Sequence, residues 1–263
     1  MEAVYKAEVL YTSNGTPYLR EPGLVLIAQT RTDLGGVASF LEGAGFGTDY
    51  LQDPTQIPDG TGVCKFAGQL CYLSLGEKRT KNSDAAKYFK NILESGHFSV
   101  LEHATYSFFM YGVSRSLTHE LVRHRHLSPS QVSQRYCDTP RFVERPEFQH
   151  SNFLHEAFEG RIDRTADEYR WLLANLHAPE AAGGAGRTAA RKATRQAARA
   201  CLTNETEAPL VMSGNARAWR HFLDLRMSEH AEPEIRRLAH RACAALQEVD
   251  PELFQGYSPD FAW

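Results

Sequence analysis

The feature that most restricts the fold is a nine-residue segment near the middle of the chain, Thr105–Val113. It contains four aromatic residues and no charged side chain. A short apolar run of this kind is typical of a strand that is buried on both faces. The segment therefore predicts a sheet inside the protein, which the rest of the chain must cover.

The first half of the chain combines strand-like and helical segments. Strand composition marks Val4–Tyr11 and Leu24–Thr30, and helical patterning marks Lys65–Leu73 and Asp84–Glu94. After the central strand, a cap at Ser114 or Ser116 predicts a helix to about His124. A polar loop and an extended piece, Arg141–Phe148, follow.

The second half of the chain is predicted to be helical, with a flexible break at Ala181–Gly186. The four predicted helices are Ile162–His177, Arg187–Leu202, Asn215–Ala231 and Pro233–Gln247. The last helix has a proline in its first turn, where that residue is favoured. Strands and helices mixed in the first half and helices in the second predict an α+β fold.

The composition predicts a soluble, cytoplasmic protein. Its five cysteines are odd in number, and their spacing suits neither a disulfide framework nor a zinc site, so reduced thiols are expected. Charged residues occupy the N-terminus where a signal peptide needs an apolar core. No uncharged apolar run near the start approaches the roughly 20 residues that cross a bilayer, so no membrane partner is expected.

The most informative segment for function is Ser114–Tyr136, which is rich in cations although the whole chain has a net charge of −3. From Arg115 to Arg135 it contains four arginines, three histidines and one acid. Arginine grips phosphate through two hydrogen bonds, so the segment predicts a site for phosphorylated ligands. A solvated charged face is one alternative. A metal site at His119, His124 and His126 is another, which the interleaved arginines oppose.

Within this segment, seven residues separate Arg123-His124-Arg125 from Ser133-Gln134-Arg135. This arrangement resembles the signature of the flavin-dependent thymidylate synthases. The resemblance implies an enzyme that methylates dUMP to dTMP with FAD, methylenetetrahydrofolate and NADPH. It also implies a homotetramer with FAD at subunit contacts, and one α+β domain over residues 1–263 with an antiparallel or mixed sheet. Residues 1–62 match the family poorly.

Further segments resemble the same family, among them Gly96–His103 and Ser213–Arg217. The FAD contacts that the resemblance implies are Ser74, His97, Ser99, Glu102, Arg123, His124, Arg125, His126, Gln131, Asn215, Arg217, His221 and His230. The implied dUMP contacts are Glu120, Arg123, Gln131, Val132, Ser133, Gln134, Arg135, Arg199 and Arg226.

Among these residues, the resemblance implies that Arg226 is catalytic, because it would stabilise negative charge that develops on the uracil ring. On the predicted helix Arg226 and His230 are neighbours at i, i+4, while Arg217 and His221 form a second pair on roughly the opposite face. Three positions depart from the family pattern: Glu120 replaces a common Gln, His221 a common Asn and Thr203 a common Pro. No metal is expected.

Two other functions fit parts of the sequence. A metal-dependent phosphohydrolase could use the histidines and scattered acids. A non-enzymatic nucleic-acid binder could use the arginines spaced four apart at Arg187, Arg191, Arg195 and Arg199. The net charge of −3 and the lack of interleaved aromatic residues oppose nucleic-acid binding.

Overall fold

A five-stranded sheet lies at the centre of the protein in a computed structural model that describes residues 4–137, 140–176 and 184–260. The strands of the described ranges are β1 (Val4–Tyr5), β2 (Leu10–Tyr11), β3 (Pro17–Leu19), β4 (Gly23–Gln29), β5 (Thr105–Tyr111), β6 (Ser128–Gln131), β7 (Phe142–Val143) and β8 (Leu210–Asn215). The central sheet has the order β1-β4-β5-β8-β6, and all its neighbouring strands are antiparallel.

Helices pack around this sheet and make up much of the second half of the chain. The α-helices of the described ranges are α1 (Ala38–Gly43), α2 (Asp59–Cys71), α3 (Ala85–Glu94), α4 (Arg115–Leu121), α5 (Asn152–Asn175), α6 (Gly184–Ala198), α7 (Ala216–Arg226) and α8 (Pro233–Val249). The predicted α+β class is confirmed. None of the helices in those ranges combines the length and apolar character of a membrane-spanning segment.

The predicted central strand is confirmed as β5, which ends at Tyr111 and pairs with β4 on one side and β8 on the other, but the expected burial on both faces is wrong. Its Tyr106, Phe108 and Met110 side chains are buried, whereas the residues between them are half-buried. One face therefore carries the main core and the other face is only partly covered. On the core side, the ring of Trp219 in α7 packs edge-on against Phe108 with centroids 5.1 Å apart.

A second, three-stranded sheet has the order β2-β3-β7 and contains one parallel pair, β3 with β7. The prediction of a single strand over Val4–Tyr11 is wrong, because its two ends form β1 and β2 in different sheets. The predicted strand Leu24–Thr30 is confirmed as β4 with a shift of one residue. Within Arg141–Phe148, only β7 is a strand and a 3-10 turn follows at Pro146–Phe148.

Serine side chains cap the first turns of two helices, α4 and α5. The Ser114 hydroxyl accepts a hydrogen bond from Leu117 N at 3.1 Å, which confirms the predicted cap of α4. Ser151 caps α5 in the same way, so that helix begins ten residues before the predicted Ile162. Its predicted end at His177 lies outside the described residues.

The region around β8 and α7 also departs from the prediction. Asn215 is the cap of α7 and not a helical residue, and the helix ends at Arg226. His230 therefore lies beyond the helix, and the predicted i, i+4 pair with Arg226 is wrong. The polar segment after α4 contains the edge strand β6, which pairs with β8. The first residues of the predicted break at Ala181–Gly186 lie outside the described ranges, and α6 already begins at Gly184.

Candidate active site

A cavity of about 710 Å³, which we call the large cavity, lies near the predicted site residues. It lies between the 3-10 turn Phe98–Glu102 and helix α7. Five residues predicted to contact FAD line it, namely Glu102, His126, Asn215, Arg217 and His221. The cavity therefore gathers residues from three separate parts of the sequence.

The capped start of α7 explains this grouping. Asn215 Oδ1 accepts a hydrogen bond from Ala218 N at 2.9 Å, which fixes the turn from β8 into the helix. Arg217 and His221, four residues apart, then face the cavity together. Arg217 Nη1 donates to Glu102 Oε1 at 2.6 Å and so ties the helix to the opposite wall. Asn215 lines the same cavity as Arg217.

A second cavity of about 340 Å³ adjoins the first and shares Phe98 and Arg217 with it. His97 and Ser99, both predicted to contact FAD, line this second cavity. Ser74 is not among its lining residues. The Ser74 hydroxyl donates to the Gln69 carbonyl at 3.2 Å and so binds a carbonyl in the last turn of α2.

Beside the large cavity, Arg226 is held by two residues of the cationic segment. Its Nε donates to Nε2 of His124 at 2.9 Å, and its Nη1 donates to Oε2 of Glu120 at 2.6 Å. The ring of His124 also contacts His221, with centroids 6.1 Å apart, and His221 lines the cavity. The cluster of Arg226, His124 and Glu120 is thus connected to the cavity wall.

Burial, together with the positive charge of Arg226 and the nearby His221, lowers the pKa of His124 to about 4. His124 is consequently neutral at physiological pH. Because Nε2 accepts from Arg226, the proton of the neutral ring sits on Nδ1. Burial and the nearby Glu232 carboxyl raise the pKa of Glu120, against the opposing effect of Arg226.

The loop that follows β6 carries the other part of the predicted nucleotide site. Val132 and Gln134 line a third cavity of about 190 Å³. Gln134 Nε2 and Arg135 Nε are buried, and neither has a hydrogen-bond partner among the described residues. Buried donors without partners cost free energy, so these two atoms fit a ligand that brings acceptor oxygens.

The remaining predicted residues lie around these cavities. Gln131 ends β6, and Ser133 Oγ accepts a long hydrogen bond of 3.4 Å from Arg135 N. Arg199 is half-buried at the start of a 3-10 turn after α6. Exposed positions are occupied by Arg123, Arg125 and His230.

The two alternative functions rested on the arginine series of α6 and on a possible metal site. Arg187 and Arg191 are exposed on α6, while Arg195 and Arg199 are partly buried. Within the described ranges, no three His, Cys, Asp or Glu side chains are close enough to hold one metal ion.

Six residues that line the large cavity were not predicted from the sequence. The additional lining residues are Leu93, Phe98, Leu101, Ala218, Arg220 and Asp224. Arg220 is held by the carbonyls of Leu253 and Gln255 at 2.8 and 3.1 Å, contacts that only the folded C-terminal segment provides. The position of Arg220 one residue before His221 was its only sequence signal.

Comparison with known proteins shows which family this chain belongs to. The profile of a family described as "Thymidylate synthase complementing protein" matches residues 53–252. A protein from Mycobacterium avium (strain 104) named flavin-dependent thymidylate synthase is 44% identical over 217 residues, which cover 80% of this chain and 86% of that protein. The protein of the same name from Mycobacterium tuberculosis (strain ATCC 25618 / H37Rv) is 43% identical, with the same coverage. A third, from Mycolicibacterium gilvum (strain PYR-GCK), is 44% identical over 205 residues, or 77% of this chain and 82% of that protein. The chain therefore belongs to the flavin-dependent thymidylate synthase family.

Proposed function

We propose that this protein converts dUMP to dTMP by reductive methylation, with the large cavity as its flavin site and the Arg226 cluster as its catalytic centre. The observation that carries the proposal is the contact chain from the cavity wall through His221 and His124 to Arg226. Thymidylate biosynthesis is also what the named relatives support. A metal-dependent phosphohydrolase and a nucleic-acid binder are not favoured.

The large cavity fits FAD in both size and chemistry. A volume of about 710 Å³ lies within the range of cofactor pockets. Arg217 and Arg220 can neutralise a pyrophosphate, whereas Phe98 and Leu101 offer apolar surface to a ring system. When bound, reduced FAD supplies the hydride for the methylation. His97 and Ser99 in the adjoining cavity would contact the same cofactor.

The dUMP phosphate is assigned to the loop after β6. Arg135 and Gln134 carry the buried donors that lack partners, and Arg135 adds a full positive charge. Gln131 and Ser133 would position the nucleotide, with Ser133 acting through its backbone. Arg199 completes this group as a second cation for the nucleotide.

Arg226 is assigned the chemical role. Its guanidinium is held on two sides by His124 and Glu120, so it is oriented before substrate arrives. A preorganised cation stabilises negative charge on the uracil carbonyls as C5 is activated for attack on the one-carbon unit. Such a group contributes on the order of 3 kcal/mol to lowering a barrier.

The remaining partners follow from the family. We assign methylenetetrahydrofolate as carbon donor and NADPH as electron donor, and we propose a cytoplasmic homotetramer. We also treat residues 1–263 as one domain, because β1 and β4 from the N-terminal part extend the same sheet as β5.

The first test is the visible absorption spectrum of the purified protein, recorded before and after addition of dUMP. An oxidised-flavin spectrum that shifts with dUMP is expected, because the two ligands would share one site. Formation of dTMP in the presence of methylenetetrahydrofolate and NADPH then tests turnover. A protein that is colourless and takes up no added FAD contradicts the proposal.

A further inference from the structure

A fourth cavity, of about 330 Å³, lies apart from the candidate active site. It shares no lining residue with the three cavities described above. Thr32, Leu34 and Tyr50 form part of its wall, and all three precede residue 53, where the family profile begins to match. The cavity is therefore built in part from a segment of this chain that the profile does not cover. Its wall also includes Lys65 of α2.

Lys65 is a buried cation that has no counter-ion among the described residues. Only 3% of the residue is exposed. Its Nζ donates to Asn82 Oδ1 at 2.6 Å, the one hydrogen bond that it makes within the described ranges. Arg79, which is buried nearby, does form an ion pair, with Asp49 at 2.9 Å. A buried ammonium is normally paired and can donate three hydrogen bonds, so Lys65 offers both a charge and free donors to a ligand.

The polar groups around Lys65 are fixed by their own hydrogen bonds. Asn82 N donates to Asp53 Oδ2 at 2.9 Å, and Asn82 Nδ2 donates to the Thr55 carbonyl at 2.9 Å. Thr55 N donates to the second oxygen of Asp53 at 3.1 Å. Each Asp53 oxygen thus accepts a backbone hydrogen bond, while the anchored Asn82 holds the Lys65 ammonium. A donor held in this way is preorganised for binding.

The walls of the cavity restrict the ligand to one negative charge and an apolar body. The carboxylates of Asp53 and Asp59 line the cavity and would repel a dianion such as phosphate. Leu34, Leu51 and Ile57 supply apolar surface. A volume of about 330 Å³ is at the small end of the range for ligand pockets. A carboxylate has a single charge and two acceptor oxygens, which suits the free donors of one lysine.

We propose that this cavity binds a small organic monocarboxylate with an apolar body, and that the Lys65 ammonium donates hydrogen bonds to its carboxylate. The ligand supplies the counter-ion that the described part of the chain does not. The site is separate from the synthase reaction, so its test does not depend on dTMP formation.

Proton linkage gives the proposed site a distinct pH dependence. Burial, together with Arg79 and Lys81, lowers the pKa of Lys65 to about 8, against the opposing charges of Asp53 and Asp84. A bound carboxylate stabilises the charged ammonium and raises this pKa. Above pH 8 the ligand-free protein must therefore take up a proton to bind, so affinity falls as pH rises. Between pH 7 and pH 9 the expected loss is about tenfold.

Calorimetric titration of the full-length protein with benzoate, with FAD present, tests the proposal. Benzoate is expected to bind with a Kd of about 1 mM or tighter, and the neutral analogue benzyl alcohol at least about tenfold more weakly. Lys65→Met removes the charge but keeps a side chain of similar length, and it should weaken benzoate binding about tenfold or more. Lys87→Met, at an exposed position of α3, is the control and should bind benzoate as the wild type does.

Three results would overturn the proposal. Benzoate that binds the wild type no more tightly than benzyl alcohol would show that no cation is involved. Equal affinity of Lys65→Met and the wild type would place benzoate elsewhere on the protein. Should Lys65→Met fail to fold, the wild-type pH series decides, because a Kd for benzoate that is constant from pH 7 to pH 9 contradicts a role for Lys65. Inorganic phosphate serves as the dianion probe, and it is expected to bind more weakly than benzoate at pH 7.

Discussion

Arg226 donates through Nε to Nε2 of His124 at 2.9 Å, although the two residues are 102 positions apart in the chain. A guanidinium that donates to an imidazole requires that ring to be neutral. The packing of His124 against Phe222, with ring centroids 5.2 Å apart, provides the low-dielectric surroundings that keep it so. The Arg226 guanidinium is therefore oriented by a histidine that serves as an acceptor and not as an acid.

The depressed pKa of His124 predicts a specific loss of stability in acid. Its pKa is about 4 in the folded protein against 6.5 ordinarily. Between these pH values the unfolded chain therefore binds a proton that the folded protein does not bind. The free energy of unfolding should thus fall as pH is lowered from 6.5 towards 4, by on the order of 3 kcal/mol in total. Denaturant unfolding at several pH values measures this slope. His124→Gln should reduce it, and equal slopes would show that His124 does not titrate as described.

Replacement of Arg226 is predicted to separate chemistry from cofactor binding. Arg226→Ala should lower kcat for dTMP formation by about 100-fold or more, because a preorganised charge of this kind contributes on the order of 3 kcal/mol. Bound flavin, measured by absorbance, should remain, since Arg226 is not among the cavity-lining residues. Arg170→Ala, which removes an exposed arginine from α5, is the matched control. Near-normal turnover of Arg226→Ala would remove this residue from the mechanism.

The sequence predicted the parts of the site that depend on local pattern. The uncharged strand β5, the Ser114 cap and the cationic segment all follow from short-range physical rules. The hydrogen bond between Arg226 and Glu120 joins residues 106 positions apart, and that between Arg217 and Glu102 joins residues 115 apart. Spacing along the chain carries no information about such contacts, so the pairing of these charges became visible only in the fold.

Helix ends were the weakest part of the prediction for a related reason. Periodicity marks the middle of a helix, while a single capping contact fixes its end. Asn215 looked like the first residue of a helix, yet its side chain caps α7 from the strand β8. Asn215 has an extended and not a helical backbone conformation, and it lines the same cavity as Arg217. The end of α7 at Arg226 likewise places His230 in the following turn.

Arg217 is predicted to matter for FAD binding and little for stability. Its ion pair with Glu102 is about half-exposed, and exposed pairs contribute at most about 1 kcal/mol to folding. Arg217→Ala should therefore shift the thermal midpoint by only a few degrees, while FAD affinity falls about tenfold or more. Lys90→Ala breaks another exposed ion pair, with Glu94, and should leave FAD affinity unchanged. Unaltered flavin content in Arg217→Ala would show that the large cavity is not the flavin site.

Arg135 is predicted to bind the dUMP phosphate through the donor that has no partner within the described part of the chain. A charged hydrogen bond is worth about 1.5–3 kcal/mol, so Arg135→Ala should raise the dissociation constant for dUMP by roughly 10- to 150-fold. Titration of the flavin spectrum with dUMP measures this constant, and flavin content should stay constant. Arg187→Ala, an equal charge change at an exposed position of α6, is the control. If dUMP binds Arg135→Ala as tightly as the wild type, the phosphate lies elsewhere, and Arg199 becomes the next residue to replace.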